Sequence, residues 1–492
     1  MRTLFLSRWN AISLALAIVA SALSLTAWSF ASPVGAGPDD DYHLASIWCG
    51  GGTNETLCQP GRDPGERYLP TAFSQSNCFA LHPEISASCQ GKNFGIDQTQ
   101  FGFTTRGNFT GDYPPFFYFA MSQLAGDHID VSVLLMRVLN CLLFVFLTTI
   151  SFFVINKNLR IPLLVGMLST IIPLGVFVIA SINPSSWVLI SACLLWPLLV
   201  TFFSASGKRR ILALTLSLLL VAMASGARAD GGIFAVLACV VAMTLTFSKT
   251  GSWWKSVWIF VAIIGISLLS IWFSHQSNAA INGVASGDEN VDLSVLITAN
   301  LIQLPSLLVG IFGTWGLGWL DTEMPGSVWV STLFIFSALV FWGMGYFDKK
   351  KALAATFLFS ALIAYPLALL VSSSSFVGSN VQPRYVLPLI IMFAGVVFFG
   401  ATENISAFSH TQGIIGGALI WIAFTVSLQV NIRRYVTGVD VKGWNLSKDA
   451  EWWWTFGPTP MAIWILGSLS FALLVSVLVA SYFREIKTAK AY

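Results

Sequence analysis

The sequence predicts an all-α polytopic membrane protein, with about 12 transmembrane helices, a large first extracytoplasmic loop and one or two re-entrant or interfacial segments. Three observations lead there. Of the 492 residues, 55% are hydrophobic and only 10% are charged, against about 25% charged in an ordinary soluble domain. Apolar runs of about 17–25 residues, long enough to cross a bilayer core, recur along the chain. The few charges are also sorted by side. This composition excludes a cytosolic globular enzyme and a disordered chain. A net charge of +3 gives no reason to expect a nucleic-acid partner.

The expected spans are 9–30, 131–155, 161–181, 185–203, 210–225, 232–248, 254–273, 327–346, 352–371, 385–400, 413–430 and 459–482. Transmembrane β-strands would instead be short and alternate apolar with polar residues. Two further apolar stretches are too short or too rich in glycine to span. Residues 115–126 start with Pro114-Pro115 and stop at Gly126, and residues 305–320 hold Gly310, Gly313, Gly316 and Gly318. Both are expected to be interfacial or re-entrant, with their backbone sheltered by protein or by a water-filled cavity.

Orientation follows from the bases. Arg2 and Arg8 precede the first span, which places the N-terminus in the cytoplasm. Alternation then puts Lys157, Arg160, Lys208, Arg209, Arg210, Lys349, Lys350, Lys351 and the basic C-terminus on the same side. All of the 23 acids except Asp348, Glu403 and Glu485 fall on the opposite side. The first apolar stretch could be read as a cleaved signal peptide. Its length of about 20 residues exceeds the usual apolar core of about 7–15, so a retained anchor is expected. The chain therefore divides into an anchor (1–30), an extracytoplasmic loop (31–130) and a helical membrane domain (131–492).

The loop carries Cys49, Cys58, Cys78 and Cys89. Four cysteines on an extracytoplasmic side suggest two disulfides, with three pairings open. No CxxC pair supports a zinc site instead. Cys141, Cys193 and Cys239 fall within spans and read as packing residues.

The main chemical signal is Pro38-Asp39-Asp40-Asp41-Tyr42-His43, placed just after the first span. Three adjacent carboxylates repel one another, which favours a bound cation or a raised pKa. Asp39 and Asp40 are the candidate catalytic bases. Asp39, Asp40 and Asp41 are the candidate ligands for a divalent cation such as Mg or Mn, the one cofactor the sequence suggests. The competing reading is a solvated helix cap. Arg228 and Asp230 sit in a short glycine-rich turn, and Arg384 with Tyr385 opens a span; each arginine suits a phosphate. Arg137 lies inside a span, where a charge needs a partner or a polar cavity. Tyr113, Trp315 and Trp319 could pack on sugars, although an interfacial belt is the commoner role of such residues. That belt role is stronger still for Trp452, Trp453 and Trp454. Asp321 and Glu323 could bind acceptor or metal, although a solvated turn is the safer reading, and His275 and His410 carry no partner pattern. No nucleotide-binding loop, HExxH or Ser/His/Asp signature is present.

An anchor, an early acidic motif in a long outer loop, and some ten further spans resemble the GT-C superfamily of membrane glycosyltransferases. More narrowly, Pro38-Asp39-Asp40-x-x-His43 resembles the PDExxH motif of a bacterial family of predicted multi-pass membrane proteins. Tyr113-Pro114-Pro115, Arg137, Asn183-Pro184 and Gln382-Pro383-Arg384-Tyr385 are similar to further elements of that family. Asp40 stands where the family has Glu, and Asp41 where it often has Pro. The resemblance implies a bacterial plasma-membrane enzyme that takes a sugar from a polyprenyl-phosphate donor and gives it to a glycan or lipid acceptor outside the cytoplasm. It implies substrate contacts from Asp41, His43, Tyr113, Arg137, Asn183, Arg228, Asp230, Arg384 and Tyr385. A secondary transporter or lipid flippase, and a non-catalytic envelope-assembly scaffold, are the competing classes.

Overall fold

A computed structural model describes residues 11–91, 94, 100–272, 274, 291–379, 381–400 and 408–490. Arg2, Arg8, His275 and Glu403 lie outside the described residues. The chain is mostly helical, as its composition requires. Among the described residues, ten helices have the length and apolarity to cross a membrane, and Trp258–Trp272 and Pro383–Phe398 are shorter apolar helices.

Helix α1 (Ala11–Phe30) leads into the loop, which begins with α2 (Asp40–Trp48). A small antiparallel sheet follows: β1 (Gln59–Pro60), β2 (Arg67–Pro70) and β3 (Phe101–Thr104), with Tyr68 opposite Phe103. Short helices α3 (Ala72–Gln75) and α4 (Pro115–Ser122) complete the loop. Disulfides join Cys49 to Cys58 and Cys78 to Cys89, with Cα separations of 5.3 and 6.1 Å. The first ties the end of α2 to the start of the sheet.

The membrane domain opens with α5 (Ile129–Val154), then α6 (Arg160–Leu168) and α7 (Leu174–Ile179). The single span expected over 161–181 is thus broken. Pro173 cannot donate a backbone hydrogen bond, and the chain turns at 169–173 before resuming. Helices α8 (Ser185–Ser204), α9 (Gly207–Ala227), α10 (Ala229–Thr246), α11 (Gly251–Trp254) and α12 (Trp258–Trp272) follow. Next come α13 (Leu293–Val309), α14 (Gly326–Met344), α15 (Lys349–Ser372), α16 (Pro383–Phe398), α17 (His410–Val436) and α18 (Pro460–Lys490). Helices α8 and α16 are the centre of the bundle and are buried almost throughout. They read as apolar on every side because every side is covered. Helix α1 packs on α18 and α5, so it belongs to the bundle.

Helix α13 revises the expected 305–320 segment. It starts earlier, at Leu293, and is long enough to span. Yet Asn300, near its middle, donates to the Ser375 carbonyl (3.0 Å) and accepts from the Val377 N–H (2.8 Å). Gly310, at its end, lies against Pro383. Asn300 thus touches the connection between α15 and α16, and Gly310 the first residue of α16, so α13 packs beside the start of the helix that carries Arg384. The glycines beyond it, Gly313, Gly316 and Gly318, all have positive φ and turn the chain back into α14.

Candidate functional site

The site is built on a strap, residues 31–38, that joins α1 to α2. The strap has no helix or strand to satisfy its carbonyls, so distant side chains do so. Asn431 donates to Ala31, and Arg137 to Ser32 and Pro33 (2.5 and 2.7 Å). Gln90 donates to Val34 and Trp319 to Gly35 (2.7 and 2.9 Å). Tyr435 reaches Ala36 at 3.5 Å, and Asn183 donates to Pro38 at 2.9 Å. The Gly37 carbonyl takes the Asp40 N–H. The strap is pinned along its whole length, and Asp39 stands at its end.

The three acids of the motif point to different partners. Asp39 holds the N-cap position of α2 in a left-handed conformation (φ 57°), but its side chain makes no capping hydrogen bond. It instead accepts from Arg384 at 2.6 Å, lies 3.7 Å from Arg106, and is 39% exposed. Burial is the largest single influence and would raise this carboxyl, but the charge and hydrogen bond of Arg384, with smaller contributions from His43 and Arg106, together outweigh it and hold the pKa at about 2. Asp40 is fully buried. It accepts the Gly37 N–H at 2.8 Å and lies 3.9 Å from Arg137. Its burial dominates, pushing it up to about 6. Asp41 pairs with Arg106 along one guanidinium edge, its two oxygens accepting from Nε and Nη2. The expected three-acid metal set is therefore not assembled: Asp39 turns to Arg384, Asp40 inward to Gly37 and Arg137, and Asp41 to Arg106. Among the described residues, no three His, Cys, Asp or Glu side chains gather so as to hold a metal ion.

Around Asp39 the structure collects residues from five segments. Arg384 opens α16 and is only 3% exposed. Its Nε and second amino group are buried without a hydrogen-bond partner. Tyr385 lies between two cations, 5.2 Å from Arg384 and 4.9 Å from Arg228. Arg228 also sits 5.8 Å from the Tyr113 ring. A two-pronged pair with Asp230 (2.8 and 2.7 Å) fixes it, and Tyr365 donates to Asp230 at 3.0 Å. The turn is tight because a Cβ on Gly231 would strike the Ala224 carbonyl, and one on Gly226 would strike Phe116 of α4. His43 is buried, shares a 2.9 Å hydrogen bond with Tyr118, and meets Tyr113 edge-on. Burial pushes His43 down to about 3, so it is neutral at pH 7.

Asp39, Asp41, His43, Tyr113, Arg228, Asp230, Arg384 and Tyr385 thus come together. Arg137 and Asn183 do not join them as open contacts: both are buried and hold the strap. Arg106 and Tyr365 were not expected; neither has a local sequence signal, since each meets the site only through tertiary contact. Asp321 is corrected. It is not in a solvated turn but pairs with the fully buried Arg434 at 2.8 Å. Glu323 is exposed, and His410 packs on Phe483.

The pH dependence of stability follows from two opposed groups. Between about pH 4 and 6 the folded chain keeps an Asp40 proton that the unfolded chain has lost, so Asp40 makes stability fall as pH rises. Over the same range the unfolded chain keeps a His43 proton that the folded chain lacks, so His43 makes stability rise with pH. His43→Gln is expected to melt higher near about pH 4.5 than near pH 7, and Asp40→Asn the reverse, in lipid nanodiscs. Identical pH profiles for the two variants would contradict the assignment.

A family model described as "Predicted membrane protein (DUF2142)" matches residues 22–393, well over half of the chain. No curated protein and no solved structure matches it.

Proposed function

We propose that this chain, which belongs to the DUF2142 family of predicted membrane proteins, is a glycosyltransferase that uses a polyprenyl-phosphate sugar. The observation that carries this reading is an accessible carboxylate, Asp39, bonded to a buried arginine that still has unused donors, Arg384. An acceptor hydroxyl attacks the anomeric carbon and passes its proton to Asp39. The bond from that carbon to the phosphate oxygen breaks, and the lipid phosphate leaves with the electron pair. Arg384 and Arg228 hold its charge. The resting pair also explains why the base is idle without donor. A phosphate competes for Arg384, the main charge that lowers Asp39 is drawn away, and burial then raises its basicity. Asp40, with no exposed surface, supports the strap.

The two disulfides and the sorting of acids and bases support an extracytoplasmic site in a bacterial plasma membrane, with both termini in the cytoplasm. The acceptor is a glycan or lipid of the cell envelope.

The test is release of polyprenyl phosphate by the reconstituted protein from a series of polyprenyl-phosphate hexoses, followed by mass spectrometry. Wild type is expected to release it in the presence of acceptor, and Arg384→Gln to do so about 10²–10³-fold more slowly. Movement of the intact donor across the bilayer without cleavage would instead make the protein a flippase.

A further inference from the structure

A cleft walled mainly by aromatic side chains borders the strap at Val34. Its volume is about 380 Å³, a size within the about 300–1,000 Å³ of ligand sites. Trp452, Trp453, Trp454, Asp130, Glu451 and Ser88 line it. Two of the indoles are fixed by their own N–H groups: Trp453 donates to the Pro458 carbonyl (2.7 Å) and Trp454 to the Phe30 carbonyl (2.9 Å). Trp452 is inclined to both neighbours, at 68° and 60°, so the three rings do not consume one another's faces by stacking. Trp452 and Trp453 are only half-buried.

The carboxylates are also held in place. Glu451 accepts from Ser86 at 2.6 Å, and Asp130 accepts the Val131 N–H at 2.8 Å. An ionised carboxylate has about four acceptor positions, so each keeps capacity for a ligand. Flat apolar faces beside fixed acceptors match a pyranose, which has a C–H face and a rim of hydroxyl donors. An interfacial tryptophan belt alone would not call for the two acids. Those acids would also repel an anionic phospholipid headgroup.

We infer that this cleft binds a hexopyranose unit of a glycan. The inference goes beyond the transfer reading, because binding requires no donor and no reaction. The test uses the full chain in phosphatidylcholine nanodiscs, titrated with methyl glycosides of glucose, galactose, mannose and N-acetylglucosamine. Saturation-transfer NMR reports on the sugar and indole fluorescence on the cleft. At least one glycoside is expected to bind saturably, with a dissociation constant on the order of 1 mM. Trp452→Ala and Glu451→Gln should each weaken binding about 10-fold or more, and Trp453→Phe, which keeps an aromatic face, should weaken it less. Absence of saturable binding, or equal binding by wild type and both of the first two variants, overturns the inference. So does loss of the sugar signal when phosphatidylglycerol replaces phosphatidylcholine, which would assign the cleft to lipid headgroups.

Discussion

Asp39→Asn is expected to slow sugar transfer by about 10²–10⁴-fold, the usual contribution of a positioned general base, while leaving the fold intact. The substitution removes the proton acceptor and little else. Asparagine has the same shape, can still accept from Arg384 through its amide oxygen, and tolerates the left-handed backbone at this position (φ 57°) about as well as aspartate does. The exposed flank of the side chain means that no buried cavity is created. The loss should fall on turnover more than on donor affinity. Arg384 released from a full carboxylate charge would bind the donor phosphate at least as well as before. Asp40→Asn supplies the contrast. Its carboxylate has no exposed surface, so its effect should appear in stability and its pH dependence. Turnover of both variants under saturating donor, beside their melting temperatures, separates the roles. Full activity in Asp39→Asn, with an inactive but folded Asp40→Asn, would reverse the assignment.

The sequence made the architecture legible because the bilayer imposes a length on apolar runs, and most runs became helices close to their expected ends. It was least legible where one helix had to be judged by its surroundings. Residues 293–309 have the composition of a span, and only tertiary contacts, such as the tie of Asn300 to the Ser375–Val377 backbone, show what the helix packs against. The turn at 169–173 was signalled by Pro173 but masked by continuous apolarity on both sides. In the site, residues with a chemical signature in a short motif could be found: Asp39, His43, Arg228 and Arg384. Which acid does what could not. Asp39 and Asp40 are neighbours in the chain, yet one turns to Arg384 and the other to Arg137, and that divergence is set by the backbone of the strap. The residues that pin the strap, Gln90, Asn431 and Trp319, are ordinary polar or aromatic residues in sequence. Their role is visible only when their carbonyl partners, from about 55 to 400 positions away, are known.

Arg137→Met is expected to destabilise the protein by about 3–5 kcal/mol, the usual cost of removing one partner from a buried ion pair. Arg137 is 2% exposed and Asp40 not at all, so neither can turn to water when the other is lost. The arginine also satisfies two strap carbonyls, at Ser32 and Pro33, which a methionine would leave bare. The size of the loss should depend on pH. Because Asp40 is pushed up to about 6, acidification below that value protonates it and removes the orphaned charge. The penalty of Arg137→Met should therefore be smaller near about pH 5 than near pH 8, the difference reporting the charge and the remainder reporting the lost hydrogen bonds. Adding Asp40→Asn should recover the charge part at pH 8, so that the double variant is more stable than the sum of the single effects implies. Thermal unfolding of the four proteins in nanodiscs at both pH values measures this directly. A penalty independent of pH and of residue 40 would mean that Arg137 acts on the strap carbonyls alone. Either way the strap is what fails, and with it the placement of Asp39 against Arg384, so transfer in Arg137→Met should decline with the folded fraction.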